Sequence, residues 1–250
     1  MGLAVDAFTH ACSDFYKLKD FLKIMGILFV LNLLTLLPIV DVISYILSYY
    51  LTMFWLMPMV LKHYGVKTRY GAITVDSFVS WVKTALVSIS VSCFNWNDKR
   101  ILYSQIGCLV LTGIAMFVIP WLAFIPLLAF FVLSVYGGIR YMMIMPVRLV
   151  DVSGAKDAAA RIWHMTEGKF WSILAFLILL NIPFVILVVI LSRVLELFAF
   201  SSSGSMFLIT APVMVLAAFA SVYQEFGYAN YYMLLKKEVG VGKAVKAAKK

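Results

Sequence analysis

Apolar residues in this chain gather into blocks long enough to cross a bilayer, and this restricts the fold more than any motif does. A hydrocarbon core takes roughly 20 helical residues to span. Lipid cannot hydrogen-bond open backbone groups, so spanning segments are helices or closed barrels. The blocks fall at about 22–39, 43–62, 101–119, 126–149, 169–192 and 207–235. They predict an all-α, polytopic integral membrane protein of six transmembrane helices arranged as three hairpins. Composition agrees: 13% of residues are charged, against about 25% in soluble domains. The net charge of +9 sits in the loops, where it sets topology and attracts anionic headgroups rather than nucleic acid. Cys12, Cys93 and Cys108 have no metal-like spacing, and an odd count argues for free thiols. No metal site and no cofactor are expected. The first apolar run follows mixed acids and lysines and lacks a small-x-small cleavage site, so it reads as a retained signal anchor.

Polar segments separate the blocks. Residues 1–20 place Val5, Phe8, Cys12 and Phe15, with Leu22 just beyond, at helical spacing, as in an amphipathic helix on the membrane surface. Residues 72–96 carry Phe78, Trp81, Val82, Ala85, Leu86, Ile89, Cys93 and Trp96 at i, i+3, i+4, i+7. Within them 87–92 alternate like a strand, but a lone strand in lipid would leave its backbone unpaired, so a helix is expected. Lys83 and the serines make it a surface helix. Residues 153–167 form a third such segment with Ala158, Ile162 and Met165 on one face. Residues 201–205 resemble a linker, and 236–250 a basic tail containing Lys243, Lys246, Lys249 and Lys250. Lysine and arginine alternate between the two sides of this layout, and one side holds only Arg193. Both termini are therefore expected in the cytoplasm of a prokaryotic inner membrane. A faint repeat joins Met57-Pro58 with Met145-Pro146, each followed by Gly-Ala and then by Trp81 or Trp163.

The most distinctive stretch is 148–180. Arg148, Asp151, Gly154, Ala155 and Ala158 lead into Arg161, Trp163, Thr166, Gly168, Phe170 and Trp171, and then an apolar run. It resembles the six-span membrane domain found with some glycerophosphodiester phosphodiesterases, and its stand-alone prokaryotic relatives. Tyr223, Phe226, Tyr228, Tyr231 and Tyr232 resemble that group's aromatic sixth span. The resemblance covers the last hundred residues best. It implies a fold and a membrane location but no activity, because no barrel-sized catalytic segment is present.

Few residues carry chemistry. Glu225 lies inside the sixth block, and Arg140 stands at a comparable distance from the cytoplasmic end of the fourth. An ionisable group in hydrocarbon is costly and is usually paired or faces a cavity. The two readings are a substrate or proton site and a helix–helix ion pair, and the second is preferred. Asn181 and Pro183 either break the fifth span, exposing backbone carbonyls, or mark an ordinary kink, which is preferred. Tyr136, Tyr141, Tyr223 and Tyr228 are either parts of a polar pocket or interface rings. Lys67, Arg69, Lys156, Arg161, Lys169, Lys236 and Lys237 are the candidate contacts for anionic lipid headgroups. Ser134/Gly138 and Ala217/Ser221 are small-residue pairs suited to close helix contacts. No zinc motif, phosphate loop or nucleophile elbow is found. The leading expectation is a non-catalytic scaffold or lipid-interacting subunit with a membrane-protein partner or a second copy of itself. The alternative is a small-solute or lipid transporter with a site around Arg140, Asn181, Tyr223, Glu225 and Tyr228.

Overall fold

The computed structural model describes residues 2–18, 20–35, 40–69, 74–152, 154–199 and 205–248, without the side chains of 41, 45, 195–199, 205–210 and 241–248. Among them every regular element is helical: α1 (Gly2–Asp14), α2 (Phe21–Leu34), α3 (Asp41–Leu51), α4 (Met57–His63), α5 (Val75–Cys93), α6 (Lys99–Val118), α7 (Phe124–Tyr141), α8 (Ile144–Val150), α9 (Ala155–Met165), α10 (Phe170–Ala199) and α11 (Ser205–Ala248). Among the described residues four stretches are long and apolar enough to cross a membrane: Val42–His63, Lys99–Val118, Pro120–Val150 and Phe170–Val194. The first and sixth expected blocks are not among these four. α2 has 14 residues and rises about 21 Å, short of a core of roughly 30 Å. The block's end at Pro38, the Gly71-Ala72 pair and the 201–204 stretch lie outside the described residues, as do the side chains of the tail lysines. Where a basic tail was expected, helix α11 continues to Ala248, through Lys and Ala residues of high helix propensity.

The chain divides into two compact units, one of residues 1–78 with 175–250, the other of residues 79–174. In the first unit α11 is the central helix. Val222, Tyr223, Glu225, Phe226, Ala229, Asn230, Tyr231, Tyr232 and Leu235 are all buried, so this stretch is enclosed on every side rather than along one stripe. α1 packs on α11 through Ala4, Ala7 and Ala11, small side chains that let two helices approach closely. The expected apolar residues of this segment divide: Phe8 and Phe15 turn toward Tyr223 of α11, whereas Val5 and Leu22 are exposed. α10 meets α11 at Gly227, where an added Cβ would stand 2.5 Å from Leu180 Cδ1. Between α3 and α4 a π turn spans Thr52–Leu56, and the Met57 amide bonds back to the Thr52 carbonyl. Pro58 explains it: proline has no N–H to give the carbonyl four residues back, and its ring crowds that turn.

In the second unit α6 begins at Asp98, whose carboxylate accepts from the Arg100 and Ile101 amides, a standard N-terminal cap. α6 and α7 join through a 3-10 turn at Pro120–Ala123 and are bonded by Gln105 Nε2 to Ser134 Oγ at 3.5 Å. α7 stops at Tyr141 and α8 restarts at Ile144, on the N-terminal side of Pro146, as the π turn lies before Pro58. α5 is a helix, as expected, and its expected apolar face is only partly turned inward. Ser80, Trp81, Thr84 and Val91 are buried, while Leu86, Ile89 and Trp96 are exposed. α7 approaches α5 at Gly137, where an added Cβ would stand 3.4 Å from the Ser92 carbonyl oxygen.

Candidate functional site

Arg140 is buried at 5% exposure near the end of α7. Its guanidinium donates from Nε to Thr166 Oγ1 at 3.1 Å, from Nη1 to Tyr136 Oη at 3.3 Å and from Nη2 to the Trp163 carbonyl. It also lies 3.4 Å from the centroid of the Trp163 ring. Stacking and forked donation together use the geometry that distinguishes arginine from lysine. Trp163 stacks in turn on Tyr141, centroids 5.4 Å apart. The Tyr141 hydroxyl donates to Asn95 Oδ1 at 2.8 Å and accepts from Asn97 Nδ2 at 2.9 Å. Gln105 Oε1 accepts from the Asn95 amide at 2.9 Å. Arg148 reaches Ser80 Oγ with two of its nitrogens. Gly168, at φ +70°, supplies the left-handed turn from α9 into α10, which suits a residue without Cβ. The distinctive stretch before the fifth block is thus a clasp: Trp163 and Thr166 hold Arg140, and Arg148 anchors α8 to α5.

The other candidates sit on α10 and α11 in the first unit, and they diverge. Asn181 donates to the Leu177 carbonyl and accepts from Gln224 Nε2, both at 2.8 Å. α10 runs unbroken through Pro183, so Asn181 cross-links two helices rather than opening one. Tyr223 Oη is 3.3 Å from Cys12 Sγ, and its ring packs edge-on to Phe8 and Phe15. Glu225 lies two residues on, about 200° around the helix, and so points away from Tyr223. It is 2% exposed, and its Oε2 has no hydrogen-bond partner among the described residues. Tyr228, one turn further, packs on Phe176 and lies within electrostatic reach of Glu225. Arg140 belongs to one unit and Glu225 to the other.

Sequence reasoning passed over a third polar group, in the first unit. Tyr64, just beyond α4, donates to Asp14 Oδ2 at 3.2 Å and accepts from Asn230 Nδ2 at 2.9 Å. Lys17 completes it, 2.9 Å from Asp14 Oδ1. Burial opposes the Asp14 charge, but Lys17 and Tyr64 outweigh it and hold the carboxyl below its ordinary value. Burial pushes the Tyr64 hydroxyl up. One signal was available: an asparagine inside an apolar block, a residue type that seeks a hydrogen-bond partner there.

The headgroup candidates are spread over both units. Lys67, Arg69, Lys156, Lys236 and Lys237 are exposed, and Arg161 and Lys169 are half-buried. Arg161 stands 3.9 Å from Asp151, and Lys236 lies over the Tyr232 ring. Among the described residues no cluster of three or more metal-ligating side chains occurs. A scan of protein-family models finds no match, and comparison with the curated proteins and with the solved structures finds none either.

Proposed function

We propose that the chain is a non-catalytic, multi-pass protein of the cytoplasmic membrane that works as a scaffold or lipid-interacting subunit. In this reading six helices cross the bilayer as three hairpins, both termini are cytoplasmic, and the fold is that of the six-span domain the 148–180 stretch resembles. The observation that carries it is the contrast between inside and outside. The buried polar groups Arg140, Tyr141, Gln105 and Arg148 tie helices together. The outward faces of the long helices are apolar: Phe117 is 92% and Trp121 74% exposed in the second unit, and Val185, Val189 and Ile190 are exposed on α10 in the first. Apolar patches larger than a few hundred Å² are covered by lipid or by a partner. Anionic lipids and a membrane-protein partner, or a second copy of the chain, are the implied contacts.

A transporter is the second reading, and Glu225 supports it: a fully buried acid with an unpartnered oxygen is the signature of a group kept for function. One experiment separates the two. The protein is purified in mild detergent, and whatever accompanies it is identified by mass spectrometry. A stoichiometric protein partner, with Glu225→Gln leaving assembly intact, supports the scaffold. A lone protein enriched in one solute, with uptake into liposomes abolished by Glu225→Gln, overturns it.

A further inference from the structure

A cleft of about 510 Å³ opens where α4 ends, within the first unit. Pro58, Met59 and Val66 form its less exposed wall, and Lys62, Lys67 and Thr68 supply its polar side. Its shape follows from the way the helix stops. Gly65 takes φ +73°, its amide bonds the Lys62 carbonyl and the Val66 amide bonds the Leu61 carbonyl, both at 2.9 Å. This is a Schellman cap, which satisfies the last carbonyls of the helix with backbone donors. The Lys62 ammonium is therefore not needed there. Neither Lys62 nor Lys67 has a hydrogen-bond or ion-pair partner among the described residues. The left-handed turn at Gly65 also folds the chain back, so that Lys67 and Thr68 line the same cleft as Lys62.

The position of the cleft selects its ligand. It closes the candidate span Val42–His63, at the level where hydrocarbon gives way to headgroups. A cleft with apolar residues on one side and two unpaired ammonium groups on the other matches the junction of an acyl chain and a phosphate. The helix end is the negative end of its dipole, so the two lysines also offset a field that would repel an anion. We infer that this cleft holds the phosphate of an anionic phospholipid between Lys62 and Lys67, with the start of an acyl chain along Pro58 and Met59. The inference rests on the proposed lipid-interacting role and assigns that role to one place.

The test uses the full chain in nanodiscs of phosphatidylcholine with a minor share of phosphatidylglycerol. Native mass spectrometry after release counts the phosphatidylglycerol retained. Three proteins are compared: the unaltered chain, Lys62→Gln with Lys67→Gln, and Lys83→Gln with Lys99→Gln, two exposed lysines outside the headgroup candidates, as the control for diffuse surface charge. Each ammonium near a headgroup contributes roughly fivefold, so the cleft variant is expected to retain phosphatidylglycerol some 10- to 30-fold more weakly, while the control stays within a few-fold of the unaltered chain. Retention unchanged in the cleft variant but lost in the control overturns the cleft and leaves the lipid-interacting reading standing. No preference for phosphatidylglycerol in any of the three overturns that reading as well. A third arm adds inorganic phosphate in detergent. Binding that depends on Lys62 and Lys67, and that displaces phosphatidylglycerol at millimolar phosphate, identifies a free-anion site and overturns the lipid assignment.

Discussion

At the scale of single residues, two of the buried charged side chains, one in each unit, are accommodated in opposite ways. Arg140 is fully provided for: each of its three nitrogens donates, and an indole face covers its plane. Glu225 has an oxygen that accepts from no described residue. Removing Arg140 leaves the Trp163 carbonyl and Thr166 without their charged donor, and hydrogen bonds to charged groups contribute about 1.5–3 kcal/mol each. Arg140→Ala is therefore expected to lower the thermal midpoint in detergent clearly. Arg140→Lys is expected to recover only part of it, since an ammonium reproduces neither the fork nor the stack. Full recovery with lysine would mean that charge alone matters there. Arg140 was recognisable in the sequence as an expensive residue. Its partners were present in the same sequence, Tyr136 one turn earlier and Trp163 and Thr166 in the distinctive stretch, but nothing in helical spacing says which loop folds back over a span.

At the scale of helices, packing here is governed by small residues. Gly227 is predicted to be intolerant of a side chain, which at that position meets Leu180 and Phe176 at once. Gly227→Val should destabilise the α10–α11 pair by about 1–3 kcal/mol, the usual cost of overpacking. Gly138→Ala finds nothing nearer than Ser92 Oγ at 3.8 Å and should be neutral or mildly stabilising. Thermal midpoints of the two variants check the contrast. The same physics explains why helices were legible in the sequence and their faces were not. In water an apolar stripe marks the inside. In a bilayer the outside is apolar too, so the stripes of α1 and α5 divide: Phe8, Phe15 and Trp81 turn inward, while Val5, Leu86 and Ile89 face out. Ala4, Ala7 and Ala11, or Ser80 and Thr84, mark the inner faces because small side chains allow close approach. The docking of α1 adds a pH dependence. Asp14 ionises below its ordinary value of 3.8 when docked, so the folded state holds its proton less tightly than the free segment. Its contribution is complete above the ordinary value and is lost as pH falls through the docked one. The protection of residues 2–14, taken relative to the intrinsic exchange rate at each pH, should fall on acidification over that range, and Tyr64→Phe should lower it already at neutral pH. Acid-insensitive protection would mean that the alanine face alone holds α1.

At the scale of the whole molecule, the open question is how many of the apolar blocks cross. Among the described residues four stretches meet the length and hydropathy needed. α2, at 14 residues, is short for a crossing, and α11 is not one of the four. Charge placement argues for six crossings, because lysines and arginines then fall on one side almost throughout. Six and four crossings agree about the middle of the chain and disagree about its ends, which makes the ends decisive. With Cys12, Cys93 and Cys108 replaced by serine, single cysteines are introduced at Lys17, Lys67, Trp121, Lys156, Arg193 and Lys237. Both arrangements put Lys67 and Lys156 on one face and Trp121 and Arg193 on the other. Six crossings place Lys17 and Lys237 with Lys67, shielded from an impermeant maleimide in intact cells and labelled in inverted vesicles. Four crossings place them with Trp121, labelled in intact cells. Labelling of only one of the two ends would count a single extra crossing, by α2 or by α11 according to which end stays shielded, and would undo the arrangement in three hairpins.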